Sequence, residues 1–378
     1  DSVASRGLGD VYKRQVARTA AAHGAAVVNR ANVTAITKSA DGTVHGAVVE
    51  ADGRRIDVRA RCIVNAAGVW ADDIRAMDEG RHPDSIRPAK GVHITVPWEK
   101  VRNDIAVVIP VPKDKRSLFV VPWGPKPDGT FRFTFVGTTD TDYDGPLDDP
   151  QCTKADIDYV LRALNASVTT GVTEDDVTGV WAGLRPLVKA ATSGRTADLS
   201  RHHKVNDDGS GVITITGGKL TTYREMAEDT VDAVSARLGT KSKCRTRRLP
   251  LLGGDGYREP AAGTVDAHLG GRYGTLAPAV QALVDADPTL GEPLVPGLTY
   301  LRAEAVHAVR HEMATTLDDV LSRRTRARLF DRDAAVAAAP AVAALIAAEL
   351  GWDTDEAARQ VAAFVESCRH EELSGAVA

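Results

Sequence analysis

The chain has 378 residues, 43% hydrophobic and 26% charged, enough to bury a sizeable core and to fill two or more domains. Its net charge of −4 gives no argument for nucleic acid. The four cysteines, Cys62, Cys152, Cys244 and Cys368, are scattered without a Cys-x-x-Cys pair, which argues against a disulfide framework and a structural zinc and points to a reducing compartment.

Residues 1–15 fit no pattern and read as a cloning or assembly scar, because periodicity starts only at about Val16; neither the basic start nor the apolar core of a signal peptide is present. Val16 to Gly24 reads as an alanine-rich helix ending at a glycine cap. Ala25–Asn29 reads as a short apolar strand. Asn32–Lys38, Val44–Glu50 and Arg55–Arg59, joined at Asp41-Gly42 and Asp52-Gly53, predict an antiparallel meander inserted in an α/β unit. Cys62–Gly68 is a strand running into small residues, followed by a helix from Trp70 to Met77. Such a strand end either lets a pyrophosphate or ribose pass close to the backbone or is simply a tight turn.

Strands then dominate: Arg87–Pro97, Ile105–Pro110, Ser117–Pro122, Arg132–Gly137 and one near Val177–Ala182, with a helix over Thr153–Ala166. Asp140-Thr-Asp142-Tyr-Asp144-Gly145 matches the opening of an EF-hand loop. Gln151 stands where the bidentate glutamate belongs and a strand precedes it, so the stretch reads as a turn. His202-His203 falls in a polar loop before the strand Gly211–Thr216.

Thr214 to Arg224 is the most informative stretch. A β-branched strand meets Gly217-Gly218, which permit positive φ and close backbone approach, and Lys219 opens a helix from about Leu220 to Leu238. Free N–H groups and the positive helix end there face whatever anion sits in front. Beyond it lie a basic run, Lys241–Arg248, a linker opening with Leu249–Gly254, and helical periodicity from Thr264 onward. His307 and His311 share a helix face, and without a third ligand they read as a charged face. Arg323-Arg-Thr-Arg326 is a second basic run. Ala334–Leu350, interrupted by Pro340, reads as a packed helix pair, and no run of ~18 apolar residues predicts a transmembrane helix.

Four motifs carry a resemblance spanning roughly residues 16 to 370: Thr216-Gly-Gly-Lys-Leu-Thr-Thr-Tyr-Arg224, Val64-Asn-Ala-Ala-Gly-Val-Trp-Ala71, Val136-Gly-Thr-Thr-Asp-Thr-Asp142 and Trp181-Ala-Gly-Leu-Arg-Pro-Leu187. In their order along the chain they resemble the FAD-dependent glycerol-3-phosphate dehydrogenases and the related oxidases. The resemblance implies α/β plus α+β architecture: a Rossmann-like, glutathione-reductase-type FAD-binding domain, an antiparallel-sheet substrate domain and an all-α C-terminal domain. The expected partition is residues 16–86 and 209–240 for the FAD domain, 87–208 for the substrate domain, 241–263 for the linker and 264–378 for the helical domain. No Gly-x-Gly-x-x-Gly occurs in the chain, so the FAD domain is expected to lack its first βαβ unit and the chain reads as N-terminally truncated.

The resemblance also implies the chemistry: sn-glycerol 3-phosphate is oxidised to dihydroxyacetone phosphate, hydride passes to FAD and electrons go on to quinone. Such a reaction needs a fixed cation for the phosphate or the substrate oxygen, a base near the hydroxyl, and positive potential at the flavin edge. Arg185, placed after a strand and ahead of Pro186, is the candidate cation. Lys219 is the candidate for flavin-edge charge or proton transfer. His93, on the strand face opposite Val92 and Ile94, is a second candidate base, and the sequence does not separate the two. Candidate flavin contacts are Val33, Ala66, Ala67, Gly68, Trp70, Gly217, Gly218, Lys219, Leu220 and Thr221; no metal ligands are expected. An oxygen-using oxidase, another amine or hydroxy-acid oxidase, and a flavin-less non-catalytic module stay open. The two basic runs suit either contact with anionic lipid head groups or plain solvation. The expected location is cytoplasmic, with a peripheral place on the inner face of the plasma membrane and a homodimer left open.

Overall fold

The computed structural model describes residues 9–189, 202–258, 260 and 265–376. The first eight residues of the segment read as a scar lie outside these, as does Thr264. The first helix, α1, spans Gly9–Ala22, so it starts earlier than Val16. Val11 is buried, Arg14 pairs with Glu312 at 3.2 Å and Gln15 donates to the Leu252 carbonyl, contacts to distant residues that local periodicity does not reveal. The strand expected at Ala25–Asn29 is absent. That stretch has no pairing partner among the described residues, and Val28 is 67% exposed.

Three sheets follow. The meander is β1 (Ala31–Lys38), β2 (Val44–Ala51) and β3 (Arg54–Arg59), all antiparallel. The second sheet contains β4 (Ile63–Asn65), which is followed in sequence by α2 (Ala71–Glu79), and it is completed by β11 (Lys204–Asp207) and β12 (Val212–Thr216). Its order is β11-β12-β4, with β12 and β4 parallel. The pairing of β11 with β12 brings the chain back into this sheet by Lys204, ahead of residue 209.

The largest sheet is built on β5 (Ile86–Pro97), with β6 (Val107–Pro110), β7 (Ser117–Pro125), β8 (Phe131–Gly137), β9 (Thr141–Asp142) and β10 (Gly179–Val188). Alternation along β5 divides its faces. Val92, Ile94 and Val96 join Val160, Leu161 and Leu164 of α3 (Lys154–Asn165) in one buried cluster. Thr153 and Asp156 cap α3 reciprocally, and Asp156 also takes the Lys90 ammonium at 2.6 Å, so that lysine is buried only as part of a pair. The opposite face meets the helical region, where Trp123 and Phe133 pack against Phe330.

After α4 (Tyr223–Arg237), the helical region consists of α5 (Val265–Tyr273), α6 (Ala277–Ala286), α7 (Arg302–His311), α8 (Ala327–Phe330), α9 (Arg332–Leu350) and α10 (Thr354–Ala376). The expected helix pair at Ala334–Leu350 is one continuous helix. Pro340 lies on its exposed side, where water can take the orphaned Val336 carbonyl. Ala335, Ala338, Ala339, Val342, Ala343 and Ile346 pack inward, and Asp331 and Gly351 close the ends. By length and composition alone α9 could cross a membrane, and in the fold its inward side belongs to the core of the helical region.

His307 is also corrected: it is buried on α7, not part of a charged face. Nearby, Glu304 is fully buried and gathers His268 Nε2 at 2.7 Å, Arg272 Nε at 2.6 Å, the Tyr273 hydroxyl at 3.1 Å and the Leu301 amide at 2.8 Å. Burial alone would raise the Glu304 carboxyl, but His268 and Arg272 outweigh it and hold it at about 2. Removing the carboxylate leaves Arg272 buried without its main counter-charge. Glu304→Ala is expected to destabilise the helical region by about 3–5 kcal/mol, read as a lower denaturant midpoint, whereas a change within error would show that the network relaxes without it.

Candidate active site

The parallel pair β4–β12 sets two turns side by side. With Ile63 opposite Val212 and Asn65 opposite Thr214, both strands deliver their small-residue turns, Ala66–Gly68 and Gly217–Gly218, at the same C-terminal edge. That is the edge at which open α/β sheets bind dinucleotides. Buried Asn65 fixes the first turn, donating to the Ala71 carbonyl at 2.9 Å and Thr214 Oγ1 at 3.3 Å while accepting from the Ala67 amide. Gly217 and Gly218 have φ of 72° and 80°. A Cβ on Gly217 would stand 2.7 Å from the His202 carbonyl oxygen, and one on Gly218 2.5 Å from Met226 Sδ. Only glycine fits there. A Cβ on Gly68 meets nothing within 4 Å, and the neighbouring Trp70 and Leu220 are each 41% exposed. An open, apolar-edged cradle of backbone fits one side of a flavin nucleotide. Lys219, Leu220 and Thr221 follow at the mouth of a 3-10 turn that runs into α4, and Lys219 is exposed. Val33 lies in β1 opposite Val49, in a different sheet from both turns.

The second half of the site stands on β5 and β10. Arg185 lies inside β10, not after a strand as the sequence suggested. Pro186 does not end the strand because it faces Pro88, so neither has an N–H to lose from the ladder. Opposite pairs Trp181–His93, Gly183–Gly91 and Arg185–Ala89 put these side chains on one face. The His93 ring stacks on Trp181, centroids 5.0 Å apart and planes within 9°, with the Phe135 edge at 6.2 Å. A Cβ on Gly137 would fall 2.4 Å from His93 Cδ2. A Cβ on Gly91 would fall 2.6 Å from Arg185 Nη1, so two glycines make the floor on which imidazole and guanidinium rest.

Arg185 donates to the Thr139 carbonyl and Thr138 Oγ1, each at 3.2 Å, and faces Asp140 at 3.5 Å. Asp142 pairs with Arg87. Arginines therefore engage two of the acidic residues in the EF-hand-like stretch. Burial first, then the Arg185 and Arg326 charges, push the His93 imidazole down from 6.5 to about 4. Sequence reading missed Arg326 here, having taken it for part of a surface run. It is 7% exposed, and its guanidinium lies 5.8 Å from the Trp181 ring and 5.7 Å from Trp123. Arg324 is likewise drawn inside, donating to the Glu312 carbonyl, so this run is not a solvated basic face, whereas Lys241–Arg248 is exposed. The signal in the sequence was the aromatic content of β7, β8 and β10, which offers a cation faces to lie on.

The structure thus brings His93 and Arg185 together. No hydrogen bond or ion pair joins Lys219 to either among the described residues. The two halves meet through the 3-10 turn Gly68–Trp70, which packs against both β5 and β10. Asp72 then ties α2 to the start of β5 by accepting from the Ile86 amide at 2.9 Å and Ser85 Oγ at 2.7 Å.

A histidine with a lowered folded pKa contributes stability above its unfolded pKa, and that contribution is lost as pH falls. For His93 the window runs from about 6.5 down to 4, a change of at most about 3 kcal/mol. His93→Gln is expected to flatten the fall of Tm across that window. An unchanged slope would mean that His93 protonates freely in the folded protein. Gly137→Ala is expected to displace the imidazole and lower its stacking on Trp181, visible as a changed His93 ring environment in NMR spectra.

Comparison with known proteins places the chain in a family. The model of the FAD dependent oxidoreductase family matches residues 10–224, and that of the C-terminal domain of alpha-glycerophosphate oxidase matches residues 244–357. Glycerol-3-phosphate dehydrogenase 2 of Mycobacterium tuberculosis is 38% identical over 378 residues, covering 96% of this chain and 62% of that protein. The mitochondrial glycerol-3-phosphate dehydrogenase of Arabidopsis thaliana is 35% identical, covering 89% of this chain and 57% of that one. The chain spans about three-fifths of the length of these curated relatives. The X-ray structure of the glycerol-3-phosphate dehydrogenase from Bacillus halodurans complexed with FAD superposes with a TM-score of 0.78 at 28% identity, over 96% of this chain and 72% of that one. The chain belongs to the FAD-dependent oxidoreductase family, with a helical C-terminal domain of the alpha-glycerophosphate oxidase type.

Proposed function

We propose that this chain carries the substrate-side and flavin-side residues for oxidation of sn-glycerol 3-phosphate to dihydroxyacetone phosphate. The observation that carries the reading is the pairing of a fixed guanidinium, Arg185, with an imidazole, His93, on one face of β5–β10, against the turn that opens the nucleotide cradle. The names of the relatives supply the substrate.

Arg185, anchored through Thr138, Thr139 and Asp140, presents a guanidinium in a fixed plane, the geometry that grips phosphate or alkoxide oxygens. His93, kept neutral at neutral pH, has a ring nitrogen able to accept the proton of the C2 hydroxyl. FAD bound along Ala66–Gly68 and Gly217–Thr221 supplies the acceptor for the C2 hydride. Lys219 and the helix mouth behind it contribute positive potential at that edge. Quinone is the proposed final acceptor, reached at a membrane surface. The match to an oxidase C-terminal domain favours oxygen as the alternative, and hydrogen peroxide formation in stoichiometry with product would select it.

Arg185→Ala is expected to lower kcat/KM for sn-glycerol 3-phosphate about a hundredfold or more, with a much smaller loss for unphosphorylated glycerol. Equal losses on the two substrates would move Arg185 from the phosphate to the alcohol oxygen.

A further inference from the structure

We propose that Arg326, supplied by the helical C-terminal domain, is a positioning residue for His93, acting through the Trp181 indole that both side chains contact. This rests on the reading of His93 as the proton acceptor. The imidazole is held on three sides: stacked on Trp181, edged by Phe135, and closed below by Gly137. Arg326 lies over the same indole at 5.8 Å, with Trp123 at 5.7 Å and Phe330 at 5.5 Å around its guanidinium. A cation against an aromatic face is attracted by the ring quadrupole, and more strongly where water is excluded. The contact therefore fixes the indole, and the indole fixes the imidazole stacked on it.

The arginine cannot drift from this place. Its backbone takes a left-handed φ of 63° between a π-helical turn, Asp319–Arg324, and α8. The segment after it is fastened to the sheet: Thr95 Oγ1 donates to the Leu329 carbonyl at 2.7 Å, Thr178 Oγ1 to the Phe330 carbonyl at 2.6 Å, and the Arg332 amide to the Thr178 carbonyl at 2.9 Å. A Cβ on Gly179 would stand 2.3 Å from the Leu329 oxygen, so glycine at that strand start is what permits the docking. Thr95 is two residues along β5 from His93, on the same face.

Among the described residues, the charges that act on His93 are those of Arg185 and Arg326. Arg185 projects from β10 with Asp140 facing it from the turn after β8, and Arg326 comes from the helical side. Phe135 and Gly137 of β8 are uncharged, and the Lys90–Asp156 pair belongs to the other face of β5. Removing the Arg326 charge takes away one of the two cations that oppose protonation of the imidazole.

The experiment is an NMR titration of the histidine ring nitrogens in the purified, flavin-bound protein, with pH profiles of kcat/KM alongside. In the unsubstituted protein His93 should titrate below pH 5. Arg326→Gln and Arg326→Met should each raise its midpoint by about half a unit or more and move the acid limb of the profile upward by the same amount. Arg326→Lys should keep the midpoint while lowering kcat more than it changes KM. A His93 midpoint near 6.5 in the unsubstituted protein overturns the proposal, and that measurement decides where the charge-removing variants do not fold. An unmoved midpoint in variants that merely melt earlier overturns it as well, reducing Arg326 to a packing residue. The titration needs no substrate, so it stands or falls separately from whether sn-glycerol 3-phosphate is oxidised.

Discussion

The pairing of β5 with β10 is the constraint on which the site depends. It runs from Ile86 opposite Val188 to Thr95 opposite Gly179, one residue against one throughout. Because side chains alternate, this register alone sends Val92, Ile94 and Val96 into the core beneath α3 and sends Gly91, His93 and Thr95 to the other side. A slip of one residue would exchange the two sets, putting His93 under α3 and taking Val92, Ile94 and Val96 out of their cluster, so burial of the core enforces the geometry of the site. The glycines at 91 and 137 follow from the same register. Each lies where a neighbouring strand's functional side chain must cross it.

What the sequence made legible was local. The glycine pair at 217–218 announces a backbone that must bend with positive φ, the small residues after β4 announce a tight strand end, and the alternation of Val92, His93 and Ile94 assigns the face of the histidine. Each signal lies within a few residues of what it predicts. The failures are of the opposite kind. Ala25–Asn29 has the composition of a strand but no neighbour among the described residues to pair with. Pro186 looks like a terminator until Pro88 is seen facing it. Pro340 looks like a break until α9 is seen to bury six side chains on one side and keep the proline on the other.

The basic run at residues 323–326 shows most clearly why distance matters. Read along the chain, four residues with three arginines are a solvated face. In the fold they part company. Arg323 stays largely exposed and pairs with Asp318, Arg324 turns to backbone carbonyls of Glu312 and Met313, and Arg326 goes to a box of aromatic rings from β7, β10 and α8. Buried arginine is tolerable only where acceptors or ring faces wait for it, and those come from segments as distant in the chain as Trp123.

The cations on either side of His93 have two effects with one cause. Arg185 and Arg326 raise the local potential, answered nearby by Asp140, and a positive potential both attracts a phosphate dianion and disfavours imidazolium. The two cations therefore hold the candidate base neutral. On the proposed function, a dianion beside Arg185 would offset part of that potential and raise the proton affinity of the imidazole. On the same reading the base would strengthen as a hydroxyl is brought to it, with no residue having to move. A site built on a rigid ten-residue strand pairing, with its second cation tied down by Thr95 and Thr178, suits that electrostatic coupling because fixed charges lose none of it to reorganisation.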